Sequence, residues 1–286
     1  METPLLRLKS NQYRQTIIKI IREAKAGHTG GSLSCIDILN VLYNHVMDIK
    51  PENFGQISRD HYVHSKGHSV EALYTVLCDK GFFSHDTLMT MEKYGSDLIG
   101  HPTRRVPGME QNTGALGHGL SFAVGMALAG KKSGHAYRVF TVLGDGELTE
   151  GSVWEAAFSA AHYELDNLTA IVDRNGLQIT GFTEEVMKLE PLEEKLRAFG
   201  FGVRHADGND PAELSAILQQ LPFEPGRPSL LMAHTVKGKG VSFMEGQASW
   251  HHRVPTDEEF VIAMQELDAE REALQSKHGS LETRQI

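Results

Sequence analysis

Two short runs hold the residues best placed to do chemistry. Val142-Leu143-Gly144-Asp145-Gly146-Glu147 sets a carboxylate between two glycines, and Val172-Asp173-Arg174-Asn175-Gly176-Leu177 sets an amide before a glycine. Each closes an apolar stretch that reads as a strand, Tyr137 to Leu143 and Leu168 to Asp173. Glycine on both sides of Asp145 lets the backbone approach an anionic ligand with no Cβ in the way. Asn175 lies 30 residues beyond Asp145, enough for a helix over Gly151 to Glu164 to return the chain to a parallel neighbouring strand. Mg²⁺ takes about six oxygens in a near-octahedral set shared among protein, water and phosphate. Asp145, the Asn175 amide oxygen and the Leu177 carbonyl leave room for two diphosphate oxygens and a water. A lone Gly-Asp-Gly is an ordinary turn; the pairing with Asn175 is what points to a magnesium-bound diphosphate.

Four upstream segments extend the pattern: Gly27-His28-Thr29-Gly30-Gly31-Ser32, Ser65-Lys66-Gly67-His68, Gly100-His101-Pro102 and Thr113-Gly114-Ala115-Leu116-Gly117-His118-Gly119. With the Gly-Asp-Gly and Asn runs, they occur in the order found in transketolases, and from Tyr13 to Pro255 the chain resembles the diphosphate-binding domain of that family. The resemblance implies a transferase that binds thiamin diphosphate and Mg²⁺, with Asp145, Asn175 and Leu177 on the metal. It implies that His28, His68 and His101 line the approach to the reacting carbon, joined by a later histidine in Trp250-His251-His252, with His251 favoured. Cofactor contacts carry over to His68, Gly114, Ala115, Leu116, Gly146, Glu147, Asn175 and His251. Glu150 and Glu155 match acidic residues at a dimer interface, and Trp154 beside them favours a buried one. A transketolase also needs an aminopyrimidine-binding domain and a third, C-terminal domain. The resemblance therefore implies an N-terminal subunit of a split enzyme, working in a heterotetramer with a second polypeptide on sugar or sugar-phosphate substrates.

Composition fits one large α/β unit over 1–286, with 40% hydrophobic and 23% charged residues. A net charge of −9 argues against nucleic acid or an anionic membrane, which require clustered Lys and Arg. Cys35 and Cys78 stand alone without a CxxC, which favours a reducing, cytoplasmic setting and core thiols. No signal pattern and no apolar run near the ~20 residues of a membrane span is present.

Helices alternate with short apolar strands, which predicts a three-layer αβα fold around a parallel sheet. An opening helix is expected over Leu5 to Ala26, ending at Gly27, and a second from a Ser34 cap through Val46. A strand is expected near His61 to His64, then helices after His68, from about Ser84, and over Gly119 to Lys131. Strands near Val203 and Leu230 alternate with helices over Leu192 to Phe199 and Pro211 to Leu221. A charged helix over about 256–279 reads as a surface or partner-facing arm.

Of fifteen histidines, those outside the matched loops (His45, His64, His85, His135, His162, His205 and His278) read as packed or solvated. None of the loop histidines has zinc-ligand spacing. Lys237-Gly238-Lys239-Gly240 lacks a Walker spacing and reads as a mobile loop near the cofactor. Three positions depart from the family pattern: Thr29 and Ala115 replace prolines, and Asn209 replaces a histidine. Arg104 and Arg105 could read an anionic substrate group or belong to a solvated loop. Other readings remain open: a 2-oxo acid dehydrogenase α-like or dihydroxyacetone-synthase-like subunit, or a non-catalytic cofactor-binding paralogue.

Overall fold

The strand and helix positions come from a computed structural model that describes residues 2–278. Among these, the strands are β1 (His61–His64), β2 (Val139–Gly144), β3 (Leu168–Arg174), β4 (Leu177–Gln178), β5 (Gly181–Phe182), β6 (Gly202–Asp207) and β7 (Ser229–His234). Five form one sheet in the order β1-β2-β3-β7-β6, with every pairing parallel. The short β4 and β5 form an antiparallel hairpin beside it. Parallel strands are buried on both faces, and alternate residues feed two cores. Phe140, Val142, Ile171 and Leu231 pack on one side, while Val139, Leu143, Ala170, Val172 and Met232 pack on the other.

The helices are α1 (Thr3–Ala24), α2 (Thr29–Val41), α3 (Val70–Asp79), α4 (His85–Leu88), α5 (Gly119–Ser133), α6 (Gly151–His162), α7 (Thr183–Val186), α8 (Leu192–Ala198), α9 (Pro211–Leu218) and α10 (Asp257–His278). The first core joins the sheet to α1, α2, α3 and α9, and the second joins it to α5, α6 and α8. This is the three-layer arrangement expected from the alternation of elements.

Three local expectations need correction. The α1 helix ends before Gly27, because Lys25 adopts a left-handed backbone at φ 54° and its N–H closes on the Arg22 carbonyl. The α2 helix starts at Thr29, so Ser34 lies inside it rather than capping it. The Ser34 hydroxyl instead bonds the Gly31 carbonyl at 2.9 Å and the Asp173 carboxylate at 2.6 Å. The predicted continuation through Val46 is a π-helical turn, Leu42–Val46. Finally, α10 is not a free arm along its first half. Ala263 and Leu267 are fully buried in the core shared with α1, and Asn11 donates to the Leu267 carbonyl at 2.9 Å. Its expected end at residue 279 lies outside the described residues. Cys35 and Cys78 are buried, as expected of core thiols.

Candidate functional site

Parallel strands place all their C-terminal ends on one edge, and ligands of such sheets bind there. Here β1 delivers Ser65 and Lys66, β2 delivers Asp145 and Gly146, β3 delivers Asn175, and β7 leads to Lys237. The β2–β3 register pairs Gly144 with Asp173, so Asp145 and the Asn175 turn emerge side by side. A cavity opens above them. Of the residues expected to bind cofactor or metal, His68, Leu116, Asp145, Gly146, Glu147, Asn175, Leu177 and His251 line it. Gly114 lies against the His101 ring and Ala115 is exposed, so neither is part of that wall.

Asp145 is buried. Its Oδ1 accepts from the Gly146 N–H at 2.8 Å, and Oδ2 accepts from the Gly176 N–H at 2.6 Å and the Arg174 guanidinium at 3.1 Å. Burial, then the Asp173 charge, pushes this carboxyl up, and Gly176 and Arg174 offset only part of the rise. A hard cation would stabilise its ionised form. Among the described residues, no three His, Cys, Asp or Glu side chains are grouped to hold a metal. Asn175 and the Leu177 carbonyl are outside such a count, and one carboxylate plus neutral oxygens suits a magnesium ion completed by phosphate and water. The Asn175 Oδ1 already accepts from the Leu177 N–H at 3.1 Å, which fixes its direction.

The walls fit an anion. Lys66 is buried and paired with Asp173; burial works against its charge, but Asp173 more than compensates and holds the ammonium above its ordinary range. Lys237 is also buried, and among the described residues it has no salt-bridge partner. Burial, then the Lys66 charge, lowers it to about 8. A diphosphate would supply the missing countercharge. A Cβ added at Gly144 would meet only Lys66, at 3.9 Å, so the backbone there leaves room for a phosphate to approach. Glu147 has less freedom than expected of a cofactor contact. Its oxygens accept from Ser65, from the Gly117 N–H at 2.9 Å and from the Gly144 N–H at 3.1 Å, knitting three loops together.

The loop histidines converge beside the cavity. The His28 ring centroid lies 5.3 Å from His68, 6.1 Å from His101, 5.6 Å from His251 and 4.6 Å from His252. Lys237 Nζ lies 2.9 Å from His251 Nδ1 and donates to it, which puts the neutral ring's proton on Nε2. His252 is exposed while His251 lines the cavity, so the geometry favours His251. Burial first, then neighbouring imidazoles and lysines, lowers His28 to about 3 and His251 to about 4; His68 also falls well below its usual value. His28, His68 and His251 are therefore neutral at physiological pH. Because these rings resist a proton that the unfolded chain accepts near 6.5, their stabilising contribution is complete above that pH. It is lost as pH falls toward 4. Imidazole NMR should show His28 and His251 still neutral at pH 5; midpoints near 6.5 would contradict this burial.

Lys66, Glu71, Gly31 and Gln178 are not singled out by sequence reasoning. Lys66 stands within a quoted motif, and its position just past the short strand His61–His64 is the available signal. Lys237, expected in a mobile loop, is a buried cavity residue in a hydrogen-bonded turn, with the Gly238 N–H on the Gly30 carbonyl at 3.0 Å. Arg104 and Arg105 are exposed and outside the cavity. Trp154 is half-buried within its own chain, donating to the Leu148 carbonyl at 2.9 Å; Glu150 reaches the cavity rim and Glu155 is exposed. Asn209 is occupied structurally, through Asp37 at 2.9 Å and the Val236 N–H at 2.8 Å.

A parallel α/β sheet with an acid and an amide at adjacent strand ends and buried lysines around them has the charge and donor set of a diphosphate-binding domain. The chain matches the family described as "Transketolase, thiamine diphosphate binding domain" over residues 7–273, and it belongs to that family. It is 46% identical over 279 residues to an apulose-4-phosphate transketolase subunit of Phocaeicola vulgatus, covering 98% of this chain and 99% of that protein. It is 42% identical to the 6-deoxy-6-sulfo-D-fructose transketolase subunit SqwG of Clostridium sp., covering 93% and 97% respectively. The transketolase of Campylobacter jejuni superposes with a TM-score of 0.84 at 28% identity, covering 97% of this chain and 49% of that one. The chain thus matches nearly the whole of the two relatives named as subunits but about half of that longer transketolase. Among the described residues, no helix is long and apolar enough to cross a membrane.

Proposed function

We propose that this chain is the diphosphate-binding subunit of a two-polypeptide transketolase, a single domain that moves a two-carbon ketol unit from a ketose to an aldose. The observation that carries the reading is the histidine cluster standing beside a cavity walled by Asp145, Asn175, Lys66 and Lys237. In this reading Asp145, the Asn175 amide oxygen and the Leu177 carbonyl hold Mg²⁺. Lys66, Lys237, Gly146 and His68 face the diphosphate, with Gly114, Ala115, Leu116 and Glu147 shaping the loops around it. When bound, thiamin diphosphate supplies the carbon nucleophile for a ketose carbonyl and takes up the electron pair released as the neighbouring C–C bond breaks.

The protein's part is to place substrate oxygens and exchange protons with them. His251 donates from Nε2, and His28, whose ring centroid lies 5.6 Å from that of His251, takes part beside it. His68 and His101 orient the substrate. The relatives from Phocaeicola vulgatus and Clostridium sp. are named for a sugar phosphate and a sulfonated sugar, and anionic ketoses of this kind are the donors to try first. The partner is a chain carrying the pyrimidine-binding and C-terminal domains, in a cytoplasmic heterotetramer.

The test is affinity purification of the tagged chain with thiamin diphosphate and Mg²⁺, followed by mass spectrometry and a donor and acceptor screen. A stoichiometric companion together with ketol transfer is expected. Cofactor binding without turnover in the reconstituted pair would favour a non-catalytic paralogue. Decarboxylation of a 2-oxo acid would indicate another thiamin diphosphate enzyme.

A further inference from the structure

His28 is the hub of the histidine cluster, with the other four rings within 6.1 Å of its own. Its Nδ1 is buried with no partner, and among the described residues no hydrogen bond holds its ring. The place of this imidazole therefore depends on packing against the other rings and on the backbone that carries it. That backbone is held by a residue outside the cavity wall. Glu71, on α3, is fully buried; one oxygen accepts the His28 N–H at 2.8 Å and the other accepts the Ser32 hydroxyl at 2.7 Å. A Cβ at Gly27, whose φ is +149°, would lie 2.7 Å from the Glu71 Oε1, so the carboxylate sits directly beneath the loop. Both contacts fall at the start of α2, where the helix dipole favours a negative charge.

We propose that Glu71 is the positioning residue for His28, gripping its loop from below so that the ring faces substrate. The proposal deepens the reading of the site as a ketol-transfer centre and rests on it. Stability alone does not account for the residue. Burial raises the Glu71 carboxyl to about 7, Glu92 adds to the rise, and Ser32 and the His28 N–H only partly offset it. Tyr74 on the same helix is the other ionisable neighbour, and among the described residues no salt bridge reaches Glu71. An ionised Glu71 thus costs stability at pH 8, which the grip on the loop must justify functionally.

The test compares Glu71→Gln with Glu71→Ala. Glutamine keeps an oxygen for the His28 N–H, and its amide nitrogen can donate to the Ser32 oxygen, whereas alanine keeps neither contact. With the reconstituted two-subunit enzyme, E71A should lower kcat at least tenfold, while E71Q stays within about threefold of the parent. In the full chain alone, thiamin diphosphate affinity in Mg²⁺ should stay within about threefold for both variants. The His28 imidazole NMR signals should shift in E71A and remain in place in E71Q. At pH 8 the melting temperature of E71Q should equal or exceed that of the parent, a result that a residue kept only for stability would not give. Unchanged turnover and His28 signals in E71A would overturn the proposal. So would a loss in E71Q as large as in E71A, or a parallel loss of cofactor affinity. If the parent enzyme shows no ketol transfer, the functional reading fails by itself, and the His28 signals still decide whether Glu71 positions the ring.

Discussion

Replacing Asp145 with Asn is expected to weaken thiamin diphosphate binding in the presence of Mg²⁺ by about 100-fold or more, equivalent to ~2.7 kcal/mol. The substitution keeps the side chain's size and one acceptor for the neighbouring N–H groups, but it removes the carboxylate assigned, with Asn175 and Leu177, to the metal. Without ligand the effect should be small or even stabilising. Burial and Asp173 raise the Asp145 carboxyl above its ordinary value, so the folded state holds the neutral form more readily than the unfolded chain does. The cost belongs to the loaded protein. Calorimetric titration should show the loss of affinity, and the rise in melting temperature produced by cofactor plus Mg²⁺ should disappear. Equal affinity in parent and D145N would refute the metal assignment.

The second large effect is expected from the buried pair of Lys66 and Asp173. Both side chains are essentially inaccessible. Asp173 is further held by Ser34 at 2.6 Å and by Thr235, and Lys66 reaches the Gly31 carbonyl at 3.1 Å. Burial raises the Asp173 carboxyl, but Lys66 and the hydroxyls outweigh it and hold the group below its usual range. Removing one partner leaves an uncompensated charge in the interior, at a cost of about 3–5 kcal/mol. Lys66→Met and Asp173→Leu should each lower the stability measured by urea unfolding by that amount. The double variant should lose less than the sum, because neither charge is then stranded. Additive losses would show that the two groups do not act as a pair. K66M should also lose thiamin diphosphate affinity, since Lys66 lines the cavity.

Much of the site was legible because its parts are local. Gly-Asp-Gly and Asn-Gly each end an apolar strand, and the interval between them is long enough for one crossover helix. Strand and helix alternation then fixes a parallel sheet, whose C-terminal edge collects those ends whatever the details. The loop histidines were legible only through resemblance, since nothing in their spacing shows that four other rings meet around His28. Helix ends were misplaced where the cap is distant or unusual: Lys25 takes a left-handed turn that carries no glycine signal, and the start of α2 is served by Glu71, 43 residues beyond His28.

The sequence by itself thus determined the layered α/β fold, the acid and amide at adjacent strand ends, and the family. Only tertiary structure decided which charges are buried and what answers them. Lys66 and Asp173 are 107 residues apart, and a lysine and an aspartate at that distance look like any two surface charges. The same holds for Lys237 against His251 and for Glu71 beneath His28. The reason is physical. Local patterns record backbone geometry and the side of an element that faces the core, whereas desolvation and countercharge depend on which chain segments the fold brings together.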